Sequence, residues 1–314
     1  MDTLVSVVIP TYGRPEFLPD AVRSVADQTY APIELLVVDD CSPEPIEPIV
    51  DEIDTTGLHS TEVIRHQRNR GANAARNTGI EAASGDIIAF LDDDDQWDRC
   101  VAKRYVDAFE SAGPSVGVVT VGVRTVDENG RKIGEFRPEV RGDALDALLN
   151  GVRVGSFSRF AVRSDVVDSA GTPSERLPCW QDWEWQFRLA FHCDFESLPD
   201  AIVVRTRGSH EQITDSFEER REVAYPFLLD RHRERIREAR GPRAERKFVA
   251  LLSKSLAFAA LDSGRYLTGI GLLLRTLRHD PFVPEAYLYL GLACGGPVTF
   301  ESAQWVKRRL SGVG

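Results

Sequence analysis

The sequence predicts an α/β fold: a doubly wound sheet followed by an α-helical extension. Two observations predict it. The first hundred residues alternate short β-branched apolar runs with segments of helical period. Beyond Ser209 the texture changes to Arg and Glu crowded at mixed-sign spacing, which describes solvated helical faces. The boundary is expected near residue 215, giving an α/β domain over 1–214 and a helical region over 215–314.

In chain order, Leu4 to Pro10 (LVSVVIP) reads as a buried strand, and Phe17 to Gln28 follows with apolar residues at helical spacing. Ile33 to Val38 is a second strand that ends at Asp39-Asp40. Val63 to Arg65 is a third, followed by a helix from about Ala72 to Ala83. Asp86 to Leu91 is a fourth, ending in Asp92-Asp93-Asp94-Asp95. Near-continuous apolar strands fit a parallel core covered on both faces. Val116 to Val126 is a further strand, turning at Asn129-Gly130 and returning through Lys132 to Phe136. Asp143 to Leu149 and Trp183 to Phe191 read as helices, Ser156 to Arg163 and Ile202 to Arg207 as strands. In the tail, Phe248 to Leu261 and Tyr266 to Leu277 are amphipathic, Asp280-Pro281 breaks the pattern, and Ala286 to Ala293 resumes it. The turn at Gly264-Arg265-Tyr266 resembles that of a single tetratricopeptide-like unit. One such unit needs another surface to cover its apolar face.

Composition bounds the chemistry. The 314 residues carry a formal net charge of −11, which excludes general nucleic-acid binding because no basic excess exists to neutralise phosphates. Only five of the 38 basic residues are lysine (Lys103, Lys132, Lys247, Lys254, Lys307), so the other 33 are arginine. Acidic excess with little lysine suits a high-salt cytoplasm, and a GC-rich genome favouring arginine codons accounts for it equally. Cys41, Cys100, Cys179, Cys193 and Cys294 are odd in number and scattered, so neither a disulfide framework nor a zinc site is expected, and the default compartment is the reducing cytoplasm. Met1-Asp2-Thr3 runs straight into the first strand, so no signal peptide is expected. No apolar run approaches the roughly 18 residues of a spanning helix.

In an open α/β sheet, ligands bind beyond the carboxyl ends of the strands. Three strands here end in polar groups at that edge: Pro10-Thr11-Tyr12, Asp39-Asp40, and Asp92 to Asp95. A single acidic strand end is an ordinary turn or helix cap; several on one rim form a candidate site. Adjacent carboxylates raise one another's pKa unless a cation neutralises them. Mg²⁺ or Mn²⁺ takes oxygen ligands and completes its shell with water and substrate phosphates, so Asp-x-Asp at a strand end suits a metal held against a diphosphate. The competing reading is a phosphatase with an aspartate nucleophile, but that nucleophile normally follows the first strand rather than the fourth.

Four blocks in order, VSVVIPTY (Val5 to Tyr12), DDCS (Asp39 to Ser42), NRGANAARNTGI (Asn69 to Ile80) and SGDIIAFLDDDDQW (Ser84 to Trp97), resemble the family 2 glycosyltransferases, as does QDWEWQFR (Gln181 to Arg188). The resemblance covers about residues 4–215 and implies a GT-A fold, an inverting mechanism and a divalent metal, Mn²⁺ or Mg²⁺. It implies that Pro10, Thr11 and Tyr12 border the nucleoside, that Asp40 with Asp39 meets the nucleobase, and that Arg76 and Asn77 shape the nucleotide pocket with Arg70 near phosphate. Asp92 and Asp94 resemble the metal-holding Asp-x-Asp pair, with Asp94 the first choice for metal and Asp95 an alternative, and the resemblance implies that Asp92 and Asp93 also meet the donor. His210 stands where relatives sometimes place a histidine near metal; a solvated loop histidine is the plainer reading, and His66 and His192 are weaker candidates. Asp182 resembles the catalytic base. Family members often carry Glu where Gln181 stands, which puts a second carboxylate there in doubt.

Chemistry supports the base. A positioned carboxylate that takes the acceptor hydroxyl's proton speeds transfer by about 10²–10⁴. Trp180, Trp183 and Trp185 around it are read either as stacking surfaces for sugar rings or as core, with Asp182 then a mere helix cap. Arg188 is expected to pair with Glu184 on the same helix.

The expected activity is transfer from a UDP-, GDP- or dTDP-sugar to an acceptor hydroxyl, in lipid-linked or cell-surface glycan assembly. The partners are the nucleotide-sugar donor and a glycan or polyprenyl-phosphate-linked acceptor. The expected location is the cytoplasm, with Tyr266–Leu274 and Ala286–Ala293 either touching the inner face of the membrane or packing on the catalytic domain. The rivals are a nucleotidyltransferase, which would want more glycine than Tyr12-Gly13-Arg14-Pro15 supplies, and a non-catalytic glycan- or partner-binding protein.

Overall fold

The computed structural model describes residues 2–207, 216–296 and 299. The chain forms two compact units; among the described residues, one takes 2–148, 152–176 and 181–207, the other 149–151, 177–180 and 216–296.

The first unit runs β1 (Val5–Thr11), α1 (Leu18–Ala26), β2 (Ile33–Asp39), α2 (Glu47–Asp51), β3 (Ser60–Arg65), α3 (Ala72–Ala82), β4 (Ile87–Phe90), β5 (Asp95–Trp97), α4 (Val101–Ser111), β6 (Val116–Val126), β7 (Lys132–Phe136), β8 (Arg141–Gly142), α5 (Ala144–Leu149), β9 (Phe160–Arg163), α6 (Ser164–Ala170), α7 (Gln181–Leu189) and β10 (Asp194–Thr206). The sheet order is β3-β2-β1-β4-β9-β6-β10-β5, with β7 beside β6 and β8 beside β10. β1 to β4 are mutually parallel, β9 runs against both β4 and β6, and β5 runs against β10, so the sheet is mixed.

Alternation along β1 explains the two covered faces. Val5, Val7 and Ile9 join Leu18, Val22 and Val25 of α1 and Tyr105 and Phe109 of α4 in one core. Val8 points the other way, toward α3. A Cβ on Gly79 would lie 2.3 Å from Val8 Cγ1, so glycine is what lets α3 approach β1 so closely. The same face carries an aromatic cluster in which Phe90 meets Phe157 (5.5 Å) and Trp185 (5.6 Å), packing α7 onto the sheet.

Register sets the rim. Thr11 pairs with Asp39 and Val8 with Phe90, so the carboxyl ends of β1, β2 and β4 lie at one edge. Residues 91–94 cross from β4, deep in the sheet, to β5 at the far edge, which puts Asp95 opposite Arg205.

Several elements depart from the sequence reading. The strand expected from Ser156 starts only at Phe160, because Phe157–Arg159 form a 3₁₀ turn whose Ser158 carbonyl accepts from Trp97 Nε1. β10 begins eight residues before the expected Ile202. The short strands β5 and β8 are set by their pairing with β10 more than by pattern.

In the second unit, Ser216 and Glu219 form a capping box on α8 (Phe217–Glu219). A π-helical turn, Arg220–Ala224, leads into α9 (Tyr225–Asp262), bent at Gly241 (φ 82°) where Pro242 restarts the helix. α10 (Tyr266–His279) and α11 (Pro284–Cys294) pack with the end of α9 around Ala257, Leu261, Leu273, Ala286 and Ala293. Among the described residues, no helix is long and apolar enough to cross a membrane.

Candidate active site

At the rim, the strand-end polar groups are tied to one another. The Thr11 hydroxyl donates to Asp93 Oδ2 at 2.7 Å, and the Asp40 N–H donates to the Thr11 carbonyl. Asp39 is fully buried; it accepts from the Ser42 N–H and from Arg65. Asp40 accepts from the N–H groups of Arg70 (2.8 Å) and Gly71 (2.7 Å), which open α3, while His66 Nδ1 lies 2.7 Å from its Oδ1. Both oxygens of Asp40 therefore have bonds within the protein. Gly71 can lead into α3 because its φ of 92° is open to glycine and strained for other residues.

The four aspartates sort by alternation. The side chains of Asp93 and Asp95 are 0 % exposed, those of Asp92 and Asp94 23 % and 21 %. Arg14 reaches Asp93 (2.7 Å) and Asp94 (2.8 Å). Arg205 grips Asp95 with two 3.1 Å bonds, a bidentate fork. Arg76 Nη2 donates to Asp92 at 2.7 Å while its guanidinium lies 3.9 Å over the Phe157 ring. Burial pushes the Asp93 carboxyl up to about 7, against Arg14 and Thr11. Burial also works to raise Asp92, but the Arg76 charge and hydrogen bond outweigh it and hold that carboxyl below the usual range.

Asp182 is the second residue of α7, inside its first turn rather than at the cap, and accepts from the Trp183 N–H at 2.8 Å. Burial pushes its carboxyl above the usual range and nearby Asp92 adds to this; Arg76 and Arg159 oppose them. The Asp92–Arg76 pair and Asp182 thus share one electrostatic neighbourhood. α7 is held there from within: Trp185 is buried and donates to the Gly171 carbonyl, and Arg188 bonds Glu184 together with the carbonyls of Ala170 and Thr172. Trp185 is therefore core and not a sugar-stacking surface. Trp183 stays half-buried beside Phe187.

The other expected residues have mixed placements. Pro10 is buried in β1 and Tyr12 stands exposed at its end. Arg70 pairs with Glu175, and the Asn77 amide donates to the Pro173 carbonyl and Glu175. Asp95, expected as an alternative metal ligand, is closed off by Arg205. His66 bridges Asp40 and Thr78, and His210 lies outside the described residues. Sequence reasoning missed Arg14, Arg159, Arg205 and Ser158. Among 33 arginines no spacing singles out those three; only folding brings them to the aspartates.

A divalent metal fits this donor set. Among the described residues no group of three or more His, Cys, Asp or Glu gathers around a common point. Asp92 and Asp94 nevertheless offer two partly exposed carboxylates at i and i+2, and Mg²⁺ or Mn²⁺ needs no more from protein when diphosphate and water complete the shell. Around them Asp92, Asp93, Asp94, Asp95 and Asp182 face Arg14, Arg76, Arg159 and Arg205. That near balance leaves little spare positive charge for an incoming diphosphate.

The model of the family described as "Glycosyl transferase family 2" matches residues 6–168, more than half of the chain and all of the rim from β1 to β9. The chain belongs to glycosyl transferase family 2. It is 38 % identical over 96 residues to the putative teichuronic acid biosynthesis glycosyltransferase TuaG of Bacillus subtilis, covering 31 % of this chain and 38 % of that protein. It is 31 % identical over 186 residues to glycosyltransferase AglE of Haloferax volcanii, covering 59 % of this chain and 60 % of AglE. These matches thus leave much of each relative's length unspanned. Among solved structures, S. aureus TarS 1-349 in complex with UDP-GlcNAc superposes with a TM-score of 0.69 at 20 % identity, covering 91 % of this chain and 83 % of that one. This family 2 member has the GT-A fold with a C-terminal helical region.

Proposed function

We propose that the protein is a metal-dependent, inverting glycosyltransferase that moves a sugar from a UDP-, GDP- or dTDP-sugar to an acceptor hydroxyl, with residues 1–214 as the catalytic domain and 215–314 as a helical region. The observation that carries this reading is the gathering of Asp92 and Asp94, held by Arg76 and Arg14, at the carboxyl ends of β1 and β4, with Asp182 of α7 in their electrostatic neighbourhood. Asp182 takes the proton of the acceptor hydroxyl as its oxygen attacks the anomeric carbon. The bond to the diphosphate breaks on the opposite face, and the configuration inverts without a protein nucleophile. Asp92 and Asp94 hold Mn²⁺ or Mg²⁺, which when bound stabilises the negative charge of the departing diphosphate. Arg76 keeps Asp92 ionised, and Arg14 steadies Asp94. Thr11, Tyr12, Asp40 and Asn77 line the nucleoside side, and Arg70 stands at its mouth.

The acceptor belongs to cell-surface or lipid-linked glycan assembly, a setting supported by the name of TuaG. In the second unit, Leu267, Leu274, Phe282, Tyr287 and Leu288 are exposed. These side chains support a peripheral position at the cytoplasmic face of the membrane.

The test is Asp182→Asn. Transfer falls by about 10²–10⁴ while Mn²⁺-dependent nucleotide binding persists, the signature of a group acting only on the chemical step. Full activity in that variant would remove Asp182 from the mechanism.

A further inference from the structure

Four rim arginines have carboxylate partners: Arg14 has Asp93 and Asp94, Arg70 has Glu175, Arg76 has Asp92, and Arg205 has Asp95. Arg159 differs. It is 7 % exposed, its Nε is buried without an acceptor, and no carboxylate among the described residues pairs with it. Its guanidinium carbon lies over the Phe136 ring, 4.4 Å from the centroid. Gly155 makes room for it: a Cβ there would sit 2.0 Å from an Arg159 terminal nitrogen. Asp182 and Asp95 act on it electrostatically without bonding it, and Arg205 repels it. Burial and that repulsion push its pKa down to about 10, so it still carries its charge at neutral pH.

A buried, charged, unpaired guanidinium is costly to a fold. Retaining one within electrostatic reach of the proposed base makes sense if a ligand completes it. The flat fork of arginine matches a carboxylate with two parallel hydrogen bonds. Asp182 must touch the acceptor hydroxyl as it attacks the anomeric carbon, and Ser158, next to Arg159 in the chain, accepts from the Asp92 N–H at 3.1 Å, so Arg159 stands at the same strand-end rim as the two sugars being joined.

We propose that Arg159 recognises a carboxylate on one of those sugars, making the substrate class a hexuronate, either as the transferred sugar or as the accepting residue. This rests on the glycosyltransferase reading above.

The experiment uses the full chain with Mn²⁺ and has two arms. The donor arm compares affinity and turnover for nucleoside-diphosphate hexuronates and the matching neutral hexoses, with UDP-glucuronate against UDP-glucose as the first pair and GDP- and dTDP-linked pairs after it. The acceptor arm uses a neutral donor and compares aryl glucuronides with aryl glucosides. In one arm, the uronate is preferred by about ten- to a hundredfold, the range for a hydrogen bond to a charged group. Arg159→Gln collapses that ratio, and Arg159→Lys restores part of it. Arg159→Met is at least as stable to heat as the parent, because the unpaired buried charge is gone; a purely structural arginine would give the opposite. Turnover without a uronate preference in either arm overturns the role of Arg159 and leaves the transferase reading standing. Failure to bind or turn over any nucleotide sugar overturns both.

Discussion

Arg76 and Asp92 are joined by a 2.7 Å bond between α3 and the end of β4, with the guanidinium seated on Phe157. This pair sets the protonation state of a proposed metal ligand and links it to the fold of α3. Its position depends on Gly79, one helical turn away, which lets α3 lie against β1.

Arg76→Gln leaves Asp92 largely buried and unpaired, and should cost about 2–4 kcal/mol in urea unfolding at pH 7. The sign with pH follows from the direction of the shift. Asp92 is held below its unfolded value, so the pair's contribution is fully present above that value and is lost as pH falls through the folded one. The gap between parent and variant therefore narrows in acid. A gap that is constant with pH would mean the pair contributes no charge interaction.

The raised carboxyl of Asp182 places the acid limb of the kcat/KM profile above the ordinary carboxylate range, since the ionised form is the base. The same shift works against the fold. Stability falls as pH rises from the unfolded value through the folded one, and Asp182→Asn removes that loss. The variant should lose most of its transfer activity yet be no less stable above pH ~5. A destabilised Asn variant at neutral pH would contradict this.

Asp94 and Asp95 should fail in different ways. Asp94→Asn, on the partly exposed side of the alternation, weakens Mn²⁺ affinity by about tenfold or more in a metal titration and leaves folding nearly intact. Asp95→Asn strips the fork from Arg205 and shows its effect chiefly in the unfolding midpoint. Equal metal affinities in the two variants would undo the assignment of roles.

Gly79→Ala forces a methyl group onto Val8, costing about 1–3 kcal/mol. Val8→Ala in the same chain should recover part of that loss, measured as a double-mutant cycle. Strict additivity would show that α3 and β1 do not meet there.

Much of the fold is legible in one dimension because it depends on local pattern. The strand runs ending at Asp39-Asp40 and at Asp92 to Asp95, and the period of α3, need only the alternation of apolar and polar residues. The site is legible in part: Thr11, Asp92 to Asp95 and Asp182 stand out as motif positions. Trp185 was ambiguous between core and sugar platform, since burial is a property of neighbours and Phe90 and Phe157 are far away in the chain.

The amino-acid sequence by itself determined the order of strands and helices, the acidic strand ends and the family, because each is written in residues close together along the chain. Only the tertiary structure decided which aspartates face outward, which arginine neutralises each of them, and that Arg159 stands without a carboxylate partner among the described residues. Those outcomes depend on distances between groups up to 110 residues apart, such as Arg205 and Asp95. Such distances exist only once the sheet has set the register of its strands.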